Sequence, residues 1–313
     1  MSELKYLFGP APSRRLGRSL GINIVPAKIC SLDCLYCEAG RTKTTTMQRK
    51  PYYKADDILK EFRENFDKFD GLCDIVTVTG AGEPTLNSEL GKIITGIKEF
   101  TNKPCAILTN TTTIHIKEVY ESLLKFDIVV PSLDAVTENI FKAVNLPEDS
   151  IYIADIIAGL EKFSKEYKGK FFIEILFCKD INDSREHINH LIKVLENIKC
   201  SKVQLGTVHR PPAHSTARPV SDEFLLDITK IFIKHNIPAE VTGGFSSVYK
   251  SSASLNLLDL IPALLKMRPC TLLDMSGVFG KSESEIKKSI DYLICENKIK
   301  AEYYNSDTYY TTA

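Results

Sequence analysis

Short apolar runs alternate with longer amphipathic stretches along roughly the first three quarters of the chain. The runs are rich in Val and Ile and predict buried strands, whereas the stretches carry apolar residues at helical spacing. The predicted strands are 21–26, 73–80, 104–110, 127–134, 170–177 and 202–208. The predicted helices are 55–69, 88–100, 116–126, 138–144, 151–167, 186–198 and 222–236.

This alternation predicts an α/β fold, in which six β-α units form a parallel sheet with helices outside it. Right-handed crossovers curl such a sheet into a partial (β/α)6 TIM-like barrel. Active sites on sheets of this kind lie at the carboxyl ends of the strands. We therefore expect the functional residues in the loops that follow the predicted strands.

The pattern changes after a stretch rich in Gly and Ser, TGGFSSVYKSSAS at 242–254, which predicts a domain boundary. Beyond it, helices are predicted at 255–267 and 271–279, and a third helix opens with a capping box at 282–285. Residues 298–312 then read as a β-hairpin. Three helices and a hairpin predict a small winged helix-turn-helix domain at 255–313, after a barrel domain at 1–245.

Composition limits the classes of function. The chain has 313 residues, with 40 Lys and Arg and 40 Asp and Glu, so it lacks the overall basic charge of many nucleic-acid-binding proteins. The N-terminus resembles no signal peptide, and no run of about 18 apolar residues occurs. We expect a cytoplasmic protein without a membrane span.

Positive charge is nevertheless concentrated locally, because residues 1–54 hold ten Lys and Arg but three Asp and Glu. The clustered cations are Arg14, Arg15, Arg18, Arg41, Lys43, Arg49 and Lys50. They form either a solvated surface or a contact for an anionic substrate, an RNA backbone or an acidic electron donor. The loop VHRPPAHS at 208–215 is a second unusual segment, either a stiff connector or a group at the barrel mouth formed by His209, Arg210 and His214.

Nine cysteines, an odd number, argue against a disulfide framework and for reduced thiols. Six lie apart, mostly among apolar residues, and are expected to be structural: Cys73, Cys105, Cys178, Cys200, Cys270 and Cys295. The other three, Cys30, Cys34 and Cys37, lie within CSLDCLYC.

The spacing of these three cysteines distinguishes among metal sites. Structural zinc usually needs four ligands and a second knuckle, and a C-x-x-C redox pair leaves Cys30 unexplained. Ferredoxin clusters take four cysteines. Three thiolates on one loop can hold three irons of a [4Fe–4S] cluster, which leaves the fourth iron open to another ligand. An open coordination position is typical of catalytic metal sites.

The C-x3-C-x2-C spacing, with Tyr36 just before the third cysteine, resembles the signature of radical S-adenosylmethionine (SAM) enzymes. The resemblance implies a [4Fe–4S] cluster on Cys30, Cys34 and Cys37, with SAM bound to the fourth iron. It also implies reductive cleavage of SAM to methionine and a 5′-deoxyadenosyl radical, which abstracts hydrogen from a substrate.

Loops after the predicted strands extend this resemblance over about 20–245. The segment Gly80, Ala81, Gly82, Glu83 and Pro84 resembles the GGEP motif, with Ala81 replacing its first glycine, and implies that Glu83 pairs with the SAM ammonium. Five further residues, Tyr36, Asn110, Ser132, Asp134 and Gly206, are implied to contact SAM. Asn110 lies in a turn that resembles TNG, although Thr111 replaces its glycine. Ser132 and Asp134 lie in a segment that resembles SLD, and Gly206 would pack against the adenine of SAM.

The opening FGPAPSRRLGRSLGINIVP is similar to that of uncharacterised iron–sulfur oxidoreductases, which are grouped by sequence with wyosine-forming enzymes. Wyosine synthases carry a second, N-terminal set of cysteines, whereas Cys30 is the first cysteine here, so we expect a different reaction.

The substrate stays open between a tRNA base and a peptide or protein, and flavodoxin or ferredoxin is the expected electron donor. For 255–313 the sequence leaves open peptide contact, dimerisation, a lid over the barrel, nucleic-acid binding and a purely structural role. The alternative for the whole chain is an iron–sulfur sensor that acts through the winged-helix domain.

Overall fold

A computed structural model of the chain describes residues 4–13, 16–242 and 256–313. In chain order the strands are β1 (Leu7–Ser13), β2 (Gly17–Asn23), β3 (Ile29–Cys30), β4 (Thr44–Thr45), β5 (Ile75–Thr79), β6 (Cys105–Thr109), β7 (Ile128–Pro131), β8 (Lys170–Phe177), β9 (Lys202–Thr207), β10 (Ala239–Val241), β11 (Cys270–Thr271), β12 (Ile299–Tyr304) and β13 (Asp307–Thr312). The α-helices are α1 (Ala55–Asn65), α2 (Leu90–Phe100), α3 (Lys117–Leu123), α4 (Glu138–Val144), α5 (Ile153–Glu166), α6 (Arg185–Leu195), α7 (Asp222–Lys234), α8 (Leu257–Leu265), α9 (Leu272–Phe279) and α10 (Glu283–Cys295).

The main sheet has eight strands in the order β1-β2-β5-β6-β7-β8-β9-β10. From β2 to β10 every neighbouring pair is parallel, which confirms the predicted α/β architecture. Because strands that are close in sequence are also neighbours in space, the loops after β2, β5, β6, β7 and β8 meet at one edge of the sheet.

Two strands extend the sheet beyond the six predicted. β1 pairs antiparallel with β2 at one edge, with a register irregularity between Phe8 and Ala11. Its sequence LFGPAPS contains two prolines and a glycine, which usually mark loops but are tolerated in an edge strand with a bulge. β10 is three residues long, too short to give a recognisable periodic signal.

Several predicted boundaries were wrong. The first predicted strand, 21–26, corresponds to β2, which starts at Gly17 and ends at Asn23. The predicted helix 55–69 ends as α1 at Asn65, and two short 3-10 turns follow. Phe66 and Phe69 remain buried in that segment, so the apolar spacing continues although the α-helix does not.

The C-terminal part contains the three predicted helices as α8, α9 and α10, followed by the predicted hairpin β12–β13. A third strand, β11, which the sequence pattern did not reveal, pairs with β13. The capping box is confirmed, because the Ser282 hydroxyl accepts from the Glu285 backbone N–H and Glu285 accepts from the Ser282 backbone N–H. The winged-helix assignment and both domain ranges stay predictions, and the predicted boundary at 242–254 lies almost wholly outside the described residues, as do Arg14 and Arg15.

A small cluster of buried apolar side chains contains Ile75, Ala106, Ile128, Val130 and Phe172. A much larger cluster extends from the main sheet into α8, α9 and α10. Leu7 of β1 and Leu264 of α8 both belong to it. The C-terminal part is therefore packed against the edge of the sheet that β1 forms. Among the described residues, no helix is long and apolar enough to cross a membrane.

Candidate functional site

A cavity of about 380 Å³ lies at the carboxyl ends of the central strands. Most of the predicted site residues line it: Cys30, Cys34, Tyr36, Cys37, Gly80, Gly82, Glu83, Asn110, Ser132 and Asp134. Two predicted residues lie elsewhere. Ala81 lines a neighbouring cleft, and Gly206 lies within β9, where an added Cβ would be 3.1 Å from the Thr242 hydroxyl. The adenine contact proposed for Gly206 therefore stays a prediction without a place in this cavity.

The cysteine loop is a compact turn against the sheet. The backbone N–H of Cys37 donates to the carbonyl of Cys34 at 3.1 Å, and that of Gly40 donates to the carbonyl of Cys37 at 3.0 Å. Side-chain amides reach two of the sulfurs: Asn110 Nδ2 lies 3.5 Å from Cys30 Sγ, and Asn145 Nδ2 lies 3.3 Å from Cys34 Sγ. Donors beside thiolate sulfurs orient metal ligands and stabilise their charge.

All three thiols have pKa values above their ordinary range. Burial raises the pKa of Cys30 to about 12, with a further contribution from the charge of Glu83. Burial, and then the charge of Asp134, raises the pKa of Cys34, and burial also raises that of Cys37. Metal ligation by cysteine requires thiolates, so binding of a metal group at this loop would release the thiol protons.

The residues fit an iron–sulfur cluster better than a single metal ion. Within the part of the chain that the structure describes, no group of three or more His, Cys, Asp or Glu side chains has the geometry to hold one ion. A four-iron cluster attaches each thiolate to a different iron, so the sulfurs lie farther apart than ligands of a single ion. Three cysteines on one loop that all line one cavity fit such a cluster.

Glu83 connects the loop after β5 to the loop after β6. Its Oε1 accepts from the backbone N–H and hydroxyl of Thr85, at 3.0 and 2.6 Å, and from the Thr109 hydroxyl at 2.7 Å. Its Oε2 accepts from the Asn110 backbone N–H at 2.7 Å. Burial raises the pKa of Glu83, and these hydrogen bonds oppose the rise. A carboxylate oxygen with one donor can accept a second, so Oε2 can still receive a cationic donor from the cavity.

Gly82 brings this loop against the cysteine loop. A Cβ at Gly82 would lie 1.9 Å from the carbonyl oxygen of Ile29, a backbone atom that cannot easily move. The Glu83 backbone N–H donates to the same oxygen at 3.1 Å. The glycine is therefore required by close approach of two backbones.

Asp134 joins the cysteine loop to β8. Its Oδ2 accepts from the Tyr36 hydroxyl and, at 2.8 Å, from Asn145 Nδ2, while Oδ1 accepts from the Leu176 backbone N–H at 2.8 Å. Tyr36 and Asp134, each implied by sequence to contact SAM, are thus bonded to each other. Asn145 was missed by sequence reasoning because an Asn directly after a helix, here α4, is a common way for a helix to end.

The loop after β9 links the cysteine loop to the C-terminal part. Arg210, 3% exposed, donates to Glu38 at 2.9 Å and to Asp274 of α9 at 3.4 Å. Burial alone would lower the pKa of Arg210, but the two carboxylates hold it above its ordinary value. His214 Nε2 lies 2.9 Å from Asp33 Oδ2 on the cysteine loop.

Of the three residues in the alternative that places this loop at the barrel mouth, Arg210 lines the cavity, whereas His209 and His214 do not. Leu264, Met267 and Arg268, from α8 and the residues after it, also line the cavity. Phe8 of β1, the strand against which the C-terminal part packs, lines it too. The C-terminal part and the β1 edge therefore close the mouth of the site.

A parallel α/β sheet with a thiol-lined cavity at its strand ends defines a class of cluster-binding enzymes, and similarity to known proteins identifies the family. The family described as "Radical SAM superfamily" matches residues 24–192. A UPF0026 protein of Methanocaldococcus jannaschii is 36% identical over 226 residues, which are 72% of this chain and 70% of that protein. The chain belongs to the radical SAM superfamily, so it is an enzyme whose cofactors are a [4Fe–4S] cluster held by three cysteines and SAM.

Other similarities cover smaller parts of the proteins compared. A Brachyspira hyodysenteriae protein named GTPase Obg is 33% identical over 97% of this chain, which spans 44% of that protein. A Flavobacterium psychrophilum protein named probable dual-specificity RNA methyltransferase RlmN is 27% identical over 56% of this chain and 52% of that protein.

A solved structure shares the fold. The Streptococcus suis protein SuiB, solved bound to S-adenosylmethionine, has a TM-score of 0.53 and 19% identity, over 72% of this chain and 51% of that one. At this identity the likeness supports the fold alone.

Proposed function

We propose that the protein cleaves SAM reductively and abstracts a hydrogen atom from a nucleotide of an RNA substrate. Cys30, Cys34 and Cys37 hold the cluster, and the observation that carries the proposal is their position in one cavity with Glu83 and Asp134. When bound, the cluster supplies the electron that breaks the bond between the SAM sulfur and its 5′ carbon. This chemistry would release methionine and supply a 5′-deoxyadenosyl radical, which would take hydrogen from the substrate.

The residues of the chain bind SAM and exclude water. Glu83 Oε2 would accept from the SAM ammonium, and Gly82 lets its loop lie against the cysteine loop that would hold the cluster. Asp134 fixes Tyr36 and Asn145 beside the cysteine loop, so the loop keeps its shape during the reaction. The cavity of about 380 Å³ has the volume for one small ligand. A larger substrate must therefore remain outside and present a single group.

An RNA substrate is favoured over a peptide by one observation, the similarity to a protein named as an RNA methyltransferase. A flavodoxin- or ferredoxin-type protein is the proposed electron donor, and the proposed location is the cytoplasm. No observation favours the sensor alternative, so we do not pursue it.

Substitution of Glu83 tests the SAM site. In Glu83→Gln, an amide replaces one carboxylate oxygen and the negative charge is lost, so we expect SAM affinity to fall about tenfold or more, as for loss of a charge-assisted hydrogen bond. SAM binding is measured on the anaerobically reconstituted protein, both by calorimetry and by the SAM-dependent change in the electron paramagnetic resonance (EPR) signal of the reduced cluster.

Glu61→Gln is the matched control. Glu61 Oε1 accepts from the backbone N–H groups of Tyr6 and Leu7, at 2.8 and 2.9 Å, and the residue lies away from the cavity. Equal SAM affinity in Glu83→Gln and Glu61→Gln would show that Glu83 does not bind SAM. A cluster signal in the unsubstituted protein that SAM leaves unchanged would contradict the proposed function itself.

A further inference from the structure

A second concavity, which we call the seam cleft, runs between the barrel and the C-terminal part. It has a volume of about 850 Å³, and its floor includes Ala39 and Gly40 of the cysteine loop. Six cationic side chains line it: Lys5, Lys28, Lys43, Lys266, Arg268 and Lys300. Two carboxylates line it as well, Glu38 and Glu302, and Glu38 is bonded to Arg210. A chain without net charge thus places a marked excess of positive charge in one cleft.

The cations are divided equally between the two walls. Lys5, Lys28 and Lys43 belong to the barrel side, and Lys266, Arg268 and Lys300 belong to the C-terminal side. A groove lined by one sign of charge attracts ions of the opposite sign. An anionic occupant of the cleft can contact cations of both walls at once.

The seam cleft and the catalytic cavity are adjacent. Glu38, Met267 and Arg268 line both of them. An elongated molecule in the cleft therefore lies beside the opening of the cavity, where it can present one of its groups. A concavity of about 850 Å³ admits a segment of a polymer, whereas a folded acidic protein is too large to enter it.

An aromatic ring accompanies the charges. Tyr53 lines the cleft, and the Lys5 ammonium lies 5.3 Å from the centre of its ring. Grooves that bind single-stranded nucleic acid combine cations along the backbone with aromatic rings on which bases stack. A lipid headgroup or a free phosphate would need neither cations on both walls nor the ring.

We propose that the seam cleft binds the phosphodiester backbone of a single-stranded RNA segment, which presents one nucleotide at the opening of the cavity. An enzyme that acts on a base has to take it out of the stack, so this nucleotide is unstacked from its neighbours. The inference rests on the proposed function in one respect, because the nucleotide at the opening is the one from which hydrogen is taken. Binding itself requires neither SAM nor a reductant.

The test is RNA binding by the full-length reconstituted protein. Fluorescence anisotropy is recorded with a single-stranded RNA of about 15 nucleotides, near the upper range of such sites, over a series of salt concentrations. The variant Lys43→Gln/Lys300→Gln removes one exposed cation from each wall. The control Lys60→Gln/Lys230→Gln removes two exposed cations from α1 and α7, outside the cleft.

We expect the cleft variant to bind RNA about tenfold more weakly at moderate salt than the unsubstituted protein. Its plot of log affinity against log salt concentration should be shallower by about 1.4, since each lost phosphate contact on a single strand contributes about 0.7. The control variant should match the unsubstituted protein in affinity and slope. Iron content and the thermal midpoint of all three proteins are compared, so that misfolding is recognised.

Three results would overturn the inference. These are no RNA binding by the unsubstituted protein, an equal loss in the cleft and control variants, and a cleft variant that binds RNA normally but loses affinity for an acidic ferredoxin. The proposed function is tested separately, by measuring SAM cleavage driven by dithionite in the absence of RNA. A protein that binds RNA in the cleft but does not cleave SAM would retain the cleft assignment and refute the radical chemistry.

Discussion

Arg210 holds the cysteine loop to the C-terminal part, and its replacement by Met should destabilise the protein. Arg210→Met keeps most of the side-chain volume but leaves Glu38 and Asp274 without their shared cation. Removal of one partner from a buried ion pair usually costs about 3–5 kcal/mol, because the remaining charge is buried alone. The side chain of Glu38 is 36% exposed and can regain water, whereas that of Asp274 is 12% exposed. We therefore expect a loss of about 3 kcal/mol, at the lower end of that range.

Urea unfolding followed by circular dichroism measures this loss. The slope of the unfolding free energy against urea concentration is compared between the proteins, so that their midpoints refer to the same transition. Arg218→Met is the matched control, since Arg218 also donates to a carboxylate, that of Asp180 at 2.6 Å, but both side chains are exposed. An exposed pair of this kind contributes at most about 1 kcal/mol.

A double substitution separates the buried charge from lost packing. If the unpaired Asp274 causes most of the loss, Arg210→Met/Asp274→Asn should be more stable than the sum of the single effects by about 2 kcal/mol. Equal unfolding free energies for Arg210→Met and Arg218→Met, or strictly additive effects in the double variant, would refute this account of the contact between the two parts.

Two further predictions concern other parts of the structure. In Gly82→Ala the added Cβ meets the Ile29 carbonyl and displaces the cysteine loop, so the amount of iron bound per chain should fall. The control Gly71→Ala, whose Cβ has no atom within 4 Å, should bind iron normally. Unchanged iron content in Gly82→Ala would contradict the close approach. Burial lowers the pKa of His187 in the folded protein. As pH falls below about 6.5, the unfolded chain therefore binds a proton at His187 before the folded protein does, and the stability contributed by the neutral ring is lost. Urea midpoints measured across this range should lose part of their pH dependence in His187→Gln; an unchanged dependence would exclude His187 as its source.

The sequence predicted the parallel sheet because buried parallel strands read as continuous apolar runs. It missed β1, since the prolines of LFGPAPS normally indicate a loop, and only the edge position and bulge allow them in a strand. β10 and β11 were missed because three and two residues are too short for any periodic signal.

At the site, local motifs predicted the cysteines and the loops after β5, β6 and β7. What they could not predict is which side chains bond to each other. The pairing of Tyr36 with Asp134 and the contact of Asn145 with Cys34 join segments about a hundred residues apart, which only the fold brings together. The same holds for the closure of the cavity by the residues around Met267.

Quantification of 5′-deoxyadenosine tests the central claim most directly. The protein is reconstituted anaerobically with iron and sulfide, and dithionite and SAM are added with and without RNA. We predict that the unsubstituted protein and Cys200→Ala, which changes a cysteine outside the cavity lining, form 5′-deoxyadenosine, and that Cys34→Ala forms none. Product formed by Cys34→Ala at the rate of the unsubstituted protein would contradict the assignment of the cysteine loop as the cluster site.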